Sequence, residues 1–165
     1  SMYLSMLKAA LNETNEINKN VEIEVNFYDS SFIDSKYLPS PIERLKIYRK
    51  INQAKTYEDI KLIQNNLIDR CGKMPNEVIN LIDNKKIILM LNGSGIKSIK
   101  SNNINTNFFL DESIRDDVLN NLLDLVKKDP QKYSISEQNK FIYRFNELKS
   151  NIRRENVKNL INKIL

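Results

Sequence analysis

Few side chains in these 165 residues are suited to chemistry. There is no histidine, so the usual general base, proton shuttle and zinc ligand are all missing. The single cysteine, Cys71, allows no internal disulfide. With no histidine to activate it, it reads as a buried structural thiol in a reducing compartment. Asp116 and Asp117 are adjacent, so on a helix they point in different directions and suit a first turn better than a metal site. Gly93-Ser94-Gly95 lacks the third glycine of a nucleotide loop and follows a helical pattern rather than a strand, which reads as a helix stop. Nothing assembles a nucleophile, a base and a phosphate or metal site. The expectation is a non-catalytic module with no cofactor and no metal of its own.

Charge offers a second route to function. The net charge is +5, unevenly spread. Pro41 to Thr56 holds five basic residues against one acid, and Lys140 to Leu165 holds seven against two, leaving the remainder at −4. Tyr48 lies among Arg44, Lys46, Arg49 and Lys50, residue types that contact phosphates and stack on bases. A nucleic-acid-binding module using the helices at 41–56 and 146–165 is therefore one reading. The other is that these are solvated faces, with Tyr48 on the core stripe.

A third route is shape. Over Tyr57 to Cys71, at about 100° per residue, Ile60, Ile63, Leu67 and Cys71 gather on one side of a helix. Leu62, Asn66 and Asp69 gather on another. An apolar residue beside a carboxylate and an amide fits a contact surface with a polar rim. A single exposed leucine, or a helix covered on both sides, would give the same pattern.

The elements that must position these residues can be read in order. Met2 to Glu13 has helical spacing, and Val21 to Phe27 alternates as a half-buried strand. Ser40 caps a helix with Pro41 in its first turn and Glu43 completing a capping box; Leu45, Tyr48, Ile51 and Ala54 form its buried stripe. Thr56 caps the next helix, with Asp59 three residues on, and Gly72 stops it. Pro75 opens a helix to about Asn92. Ile96 to Lys100 and Ile104 to Leu110 form a hairpin, and Ser113 caps a helix supported by Asp116. A second hairpin joins Tyr133 to Ser136 with Lys140 to Phe145. Asn146 to Leu165 closes the chain as a helix carrying Ile152, Val157, Leu160, Ile161 and Ile164. This order predicts a single α+β domain with several helices on a small, largely antiparallel sheet. No apolar run has membrane-spanning length. The chain opens at Ser1 directly in helical pattern and is read as a domain of a longer protein, with 1–20 as the connecting helix from what precedes it.

The run from Glu43 to Pro75, ERLKIYRKINQAKTYEDIKLIQNNLIDRCGKMP, carries a resemblance. It is similar to the signature of the C-terminal (TRCF) domain of bacterial transcription-repair coupling factors, the Mfd family, which reads R-L-x-x-Y-[KR]-[KR], then A-K-T, then E-L-I-D-R-F-G-x-[LM]-P. Arg44, Leu45, Tyr48, Arg49, Lys50, Ala54, Lys55, Thr56, Leu67, Ile68, Asp69, Arg70, Gly72 and Pro75 match. Asn66 stands where the family has its first acid, and Cys71 where it has phenylalanine. Weaker similarity extends over nearly the whole chain. The resemblance implies a non-catalytic part of a cytoplasmic, ATP-dependent DNA translocase whose motor domains use ATP and magnesium. That parent releases stalled RNA polymerase and recruits UvrA. The C-terminal domain docks on the UvrB-like N-terminal module of the same protein and masks its UvrA-binding surface. The resemblance implies Asn66, Asp69 and Arg70 as interface residues, and the helical spacing adds Leu62.

Overall fold

Alternating apolar and polar residues build the sheet, and helical stripes build the layer against it. The computed structural model describes residues 23–165. Within them lie β1 (Glu24–Asn26), α1 (Pro41–Gln53), α2 (Tyr57–Cys71), α3 (Asn76–Leu91), β2 (Ile96–Ser101), β3 (Asn105–Leu110), α4 (Asp116–Lys128), β4 (Tyr133–Ser136), β5 (Lys140–Arg144) and α5 (Ser150–Ile164). The sheet order is β1-β2-β3-β5-β4, antiparallel except for the parallel pairing of β1 with β2. The fold is α+β, as the order of elements predicts. The helix expected over Met2 to Glu13, and the first residues of the strand expected from Val21, lie outside the described residues.

Two apolar cores share the helix α3. The first joins the inner sheet face, with Ile99, Phe108 and Phe141, to Val118 and Leu122 of α4 and Val157 and Ile161 of α5. The second joins Ile47 and Ile51 of α1, Ile60 and Leu67 of α2, and Val78 and Ile82 of α3. The C-terminal half of α3 enters the first core through Ile87 and Leu91. Each such side chain contributes roughly 1.5–3 kcal/mol on burial.

A buried charge cluster links α3 to α5. Arg154 donates to both carboxylate oxygens of Asp29 at 2.9 and 3.0 Å and to Asp83 Oδ2 at 2.9 Å. Its guanidinium also lies over the Phe27 ring, 4.4 Å from the centroid. Lys158 pairs with Asp83 as well. Arg153 donates to the carbonyl oxygens of Phe27, Glu147 and Leu148. The charge of the closing helix is thus only partly solvated: Arg153 and Arg154 are buried, each with oxygen partners at hydrogen-bonding distance, as burial of a guanidinium requires.

Several local expectations are corrected. The buried stripe of α1 is Ile47, Ile51 and Ala54, with Tyr48 half-buried, while Leu45 is 58% exposed. Helix α4 begins at Asp116 rather than after Ser113. Tertiary contacts hold 111–115 instead, since Asp111 N–H donates to the Gly95 carbonyl and Arg115 N–H to that of Ser94. Helix α5 begins at Ser150, because Phe145 and Glu147 donate their amides to Ile104 and Asn103 and keep the chain beside the β2–β3 turn. Ile152 is exposed rather than core.

Candidate protein interface

The hairpin of α1 and α2 is assembled by local signals. Ser40 Oγ accepts from the Glu43 amide at 3.3 Å, and Pro41 sits where its missing N–H is harmless. Thr56 and Asp59 form a full capping box, each side chain accepting from the other's backbone N–H at 3.2 Å. The Asp59 carboxylate also accepts from the Lys55 amide at 2.9 Å, and this bond foremost, with that from Thr56, holds its pKa below the usual range. Gly72 ends α2 at φ 83°. The Tyr37 hydroxyl is within hydrogen-bonding distance of the Leu67 and Gly72 carbonyls, at 3.2 and 2.8 Å, closing the helix end. The expected capping box at Ser40 is only half made. The Glu43 carboxylate turns away to accept from Arg70 Nη2 at 3.1 Å and Lys46 Nζ at 3.5 Å, and the Arg70 contact chiefly lowers its pKa.

Between the two helices runs a groove of about 350 Å³. Ile47, Ala54 and Ile63 give it an apolar floor, Lys50 and Gln53 of α1 one wall, and Asp59, Leu62 and Asn66 of α2 the other. The predicted residues are therefore divided. Leu62 and Asn66 stand together on the groove wall, both exposed, Leu62 at 68%. Asp69 is exposed beyond the groove, on the same side of α2, and makes no ion pair among the described residues. Arg70 turns toward α1 and is engaged by Glu43. Lys50 and Gln53 on the facing wall were missed, because only the packing of α1 against α2 brings them there. Ile68, 45% exposed, is a further apolar residue beside Asp69.

Other sequence candidates find structural employment. Arg44 Nη1 donates to the Leu38 and Pro39 carbonyls at 2.7 and 2.9 Å, and the Tyr48 hydroxyl accepts from the Ile33 amide at 2.7 Å. These groups fasten the loop before α1. Cys71 is half-buried against the second core rather than fully buried. Asp117 pairs with Arg115 at 3.0 Å. Among the described residues no cluster of His, Cys, Asp and Glu could hold a metal, and no helix is long and apolar enough to cross a membrane.

The family model of the TRCF domain matches residues 29–120, more than half of the sequence and all of the α1–α2 hairpin. The chain belongs to the TRCF domain family. It is 34% identical over 110 residues to the transcription-repair-coupling factor of Buchnera aphidicola subsp. Acyrthosiphon pisum (strain APS), covering 62% of this chain and 14% of that protein. It is 31% identical over 103 residues to that of Staphylococcus aureus (strain USA300), covering 60% of this chain and 9% of that protein. The chain thus spans a small part of the relatives it matches. A crystal structure of the C-terminal domain of a transcription-repair coupling factor shares the fold, with a TM-score of 0.73 at 15% identity over 87% of this chain and 91% of that one. This TRCF domain is therefore a C-terminal-domain fold rather than a motor domain.

Proposed function

We propose that this TRCF domain is a non-catalytic, autoinhibitory module that docks through α2 on the UvrB-like N-terminal module of its parent and masks the surface UvrA binds. The observation carrying this reading is Leu62, 68% exposed on a groove wall with Asn66, on the side of α2 that also carries Asp69. Leu62 packs at the centre of the contact. Asp69 accepts charge-assisted hydrogen bonds from arginine on the partner. Asn66 hydrogen-bonds at the rim, where the family carries an acid, so this chain makes one charge pair fewer. Arg70, tied to Glu43, holds α2 at a set angle to α1. Tethering raises the effective concentration to roughly millimolar, so a weak contact keeps the surface covered. UvrA, as the better partner, then shifts the population toward the open state. The parent couples transcription to excision repair as an ATP-dependent translocase that releases stalled RNA polymerase; ATP and magnesium act in its motor domains in the bacterial cytoplasm.

The test is UvrA binding by the full-length protein carrying Asp69→Arg. Affinity should rise several-fold over wild type, and unchanged affinity contradicts masking by this face. A gel shift on the isolated domain separates the nucleic-acid reading. That reading must do without Arg44, Arg153 and Arg154, whose guanidiniums are bound internally, and it requires DNA affinity that falls steeply with salt.

A further inference from the structure

A second cleft, of about 570 Å³, opens beside the same helix corner. Gln53 and Ala54 line both it and the Leu62 groove. Its apolar walls come from Ile88 and Leu89 of α3 together with Ile23 and Ala54, and among the described residues no carboxylate lines it. Two cations do, Lys55 and Lys85. The Lys85 ammonium is half-buried and donates to the Asn52 carbonyl at 3.1 Å. It has no carboxylate within ion-pair distance among the described residues. A lysine that loses hydration without gaining a counter-ion has its charged form disfavoured, and burial lowers the Lys85 pKa accordingly. The site is thus a concave apolar surface beside an incompletely paired cation, with a second cation, Lys55, exposed at the corner. Clefts of this size with a few placed polar groups suit ligands rather than bare solvent.

We infer that this cleft docks an acidic, leucine-bearing peptide segment of a protein partner. The apolar side chain lies against Ile88 and Leu89, and the neighbouring carboxylate pairs with Lys85. A polypeptide is favoured over a free metabolite because the cleft continues the surface of the Leu62 groove. The choice of a polypeptide rests on reading the Leu62 groove as a protein contact; the pairing of a carboxylate with Lys85 does not.

The probe is a fluorescein-labelled peptide, acetyl-Asp-Glu-Leu-Ile-Glu-amide, titrated by anisotropy against the full 165-residue chain. Its uncharged counterpart, acetyl-Asn-Gln-Leu-Ile-Gln-amide, should bind about tenfold more weakly. Lys85→Met, which keeps the apolar stem, should weaken the acidic peptide at least about fivefold, and Lys55→Met less. Lys163→Met should leave it unchanged, and because Lys85 and Lys55 line this cleft and not the Leu62 groove, the result is read separately from the docking of α2. Thermal unfolding of each variant confirms that the fold is kept, and the exposed Lys55 gives a second reading independent of the half-buried site. Equal binding of the two peptides, indifference to Lys85→Met and Lys55→Met, or no binding at all would overturn the inference.

Discussion

Arg70 and Glu43 meet at 3.1 Å, joining the last turn of α2 to the first turn of α1. Both side chains remain partly exposed, and exposed pairs contribute only about 0.2–1 kcal/mol. Arg70→Ala should therefore lower unfolding stability in urea by less than about 1 kcal/mol. In the proposed interface its role is to orient α2, so docking should weaken far less than it does on removal of the Leu62 side chain. A loss of docking equal to that of Leu62→Glu would mean that Arg70 contacts the partner directly.

The cluster around Arg154 belongs to the opposite regime. Removing one member of a buried ion pair leaves its partners uncompensated, at a cost of about 3–5 kcal/mol. Arg154→Ala strands Asp29 and leaves Asp83 with Lys158 alone. Urea denaturation should report a loss of that order, because the Asp29 carboxylate loses its ion-pair partner and one of the two α5 cations that hold Asp83 of α3 is gone. A loss below about 1 kcal/mol would show that the cluster is a bystander.

Acid should weaken the same cluster. Burial pushes the Asp29 carboxyl up, but the hydrogen bonds and charge of Arg154 outweigh it and hold the group below its ordinary 3.8. Its contribution is therefore complete above that pH and is lost as pH falls through the lower folded-state value. Stability measured from pH 6 downward should fall more steeply below about pH 4 in wild type than in Asp29→Asn. Parallel curves would contradict the assignment.

How far these features were legible depends on how local their causes are. Ser40, Thr56 and Gly72 marked their helix ends because a cap or a positive φ involves only neighbours in sequence. The stripe of α1 was misread at one position: Ile51 and Ala54 are buried and Tyr48 is half-buried, but Ile47 rather than Leu45 fills the remaining place, which the packing of α2 and α3 selects. Arg153 and Arg154 looked solvated because the partners of Arg154 lie on β1's following loop and on α3, far away in sequence. On α2 the spacing separated Leu62, Asn66 and Asp69 from the core stripe, and their exposure follows. The facing wall of Lys50 and Gln53 needed the tertiary arrangement. The family resemblance supplied the proposed partner, which no spacing could name.

Gly95 tests a tertiary constraint of this kind. A Cβ there would meet Ile114 Cα at 2.2 Å, and the residue has φ 89°. Both the backbone and the segment entering α4 would have to move, so Gly95→Ala should cost at least about 3 kcal/mol. Gly72 has a similar φ of 83° but, among the described residues, nothing within 4 Å of its missing Cβ, so Gly72→Ala should cost roughly 1–2 kcal/mol. Equal losses would remove the role assigned to the Ile114 contact.

In the proposed function the exposed face of α2 holds the UvrB-like module. The most direct measurement is calorimetric titration of this domain, in trans, into the N-terminal module of its own parent. Saturable binding is expected, abolished by Leu62→Glu and by Asp69→Arg, with the unfolding stability of Leu62→Glu within about 0.5 kcal/mol of wild type because the side chain is exposed. Absence of binding by the wild-type domain, or binding that both variants retain, would contradict the account.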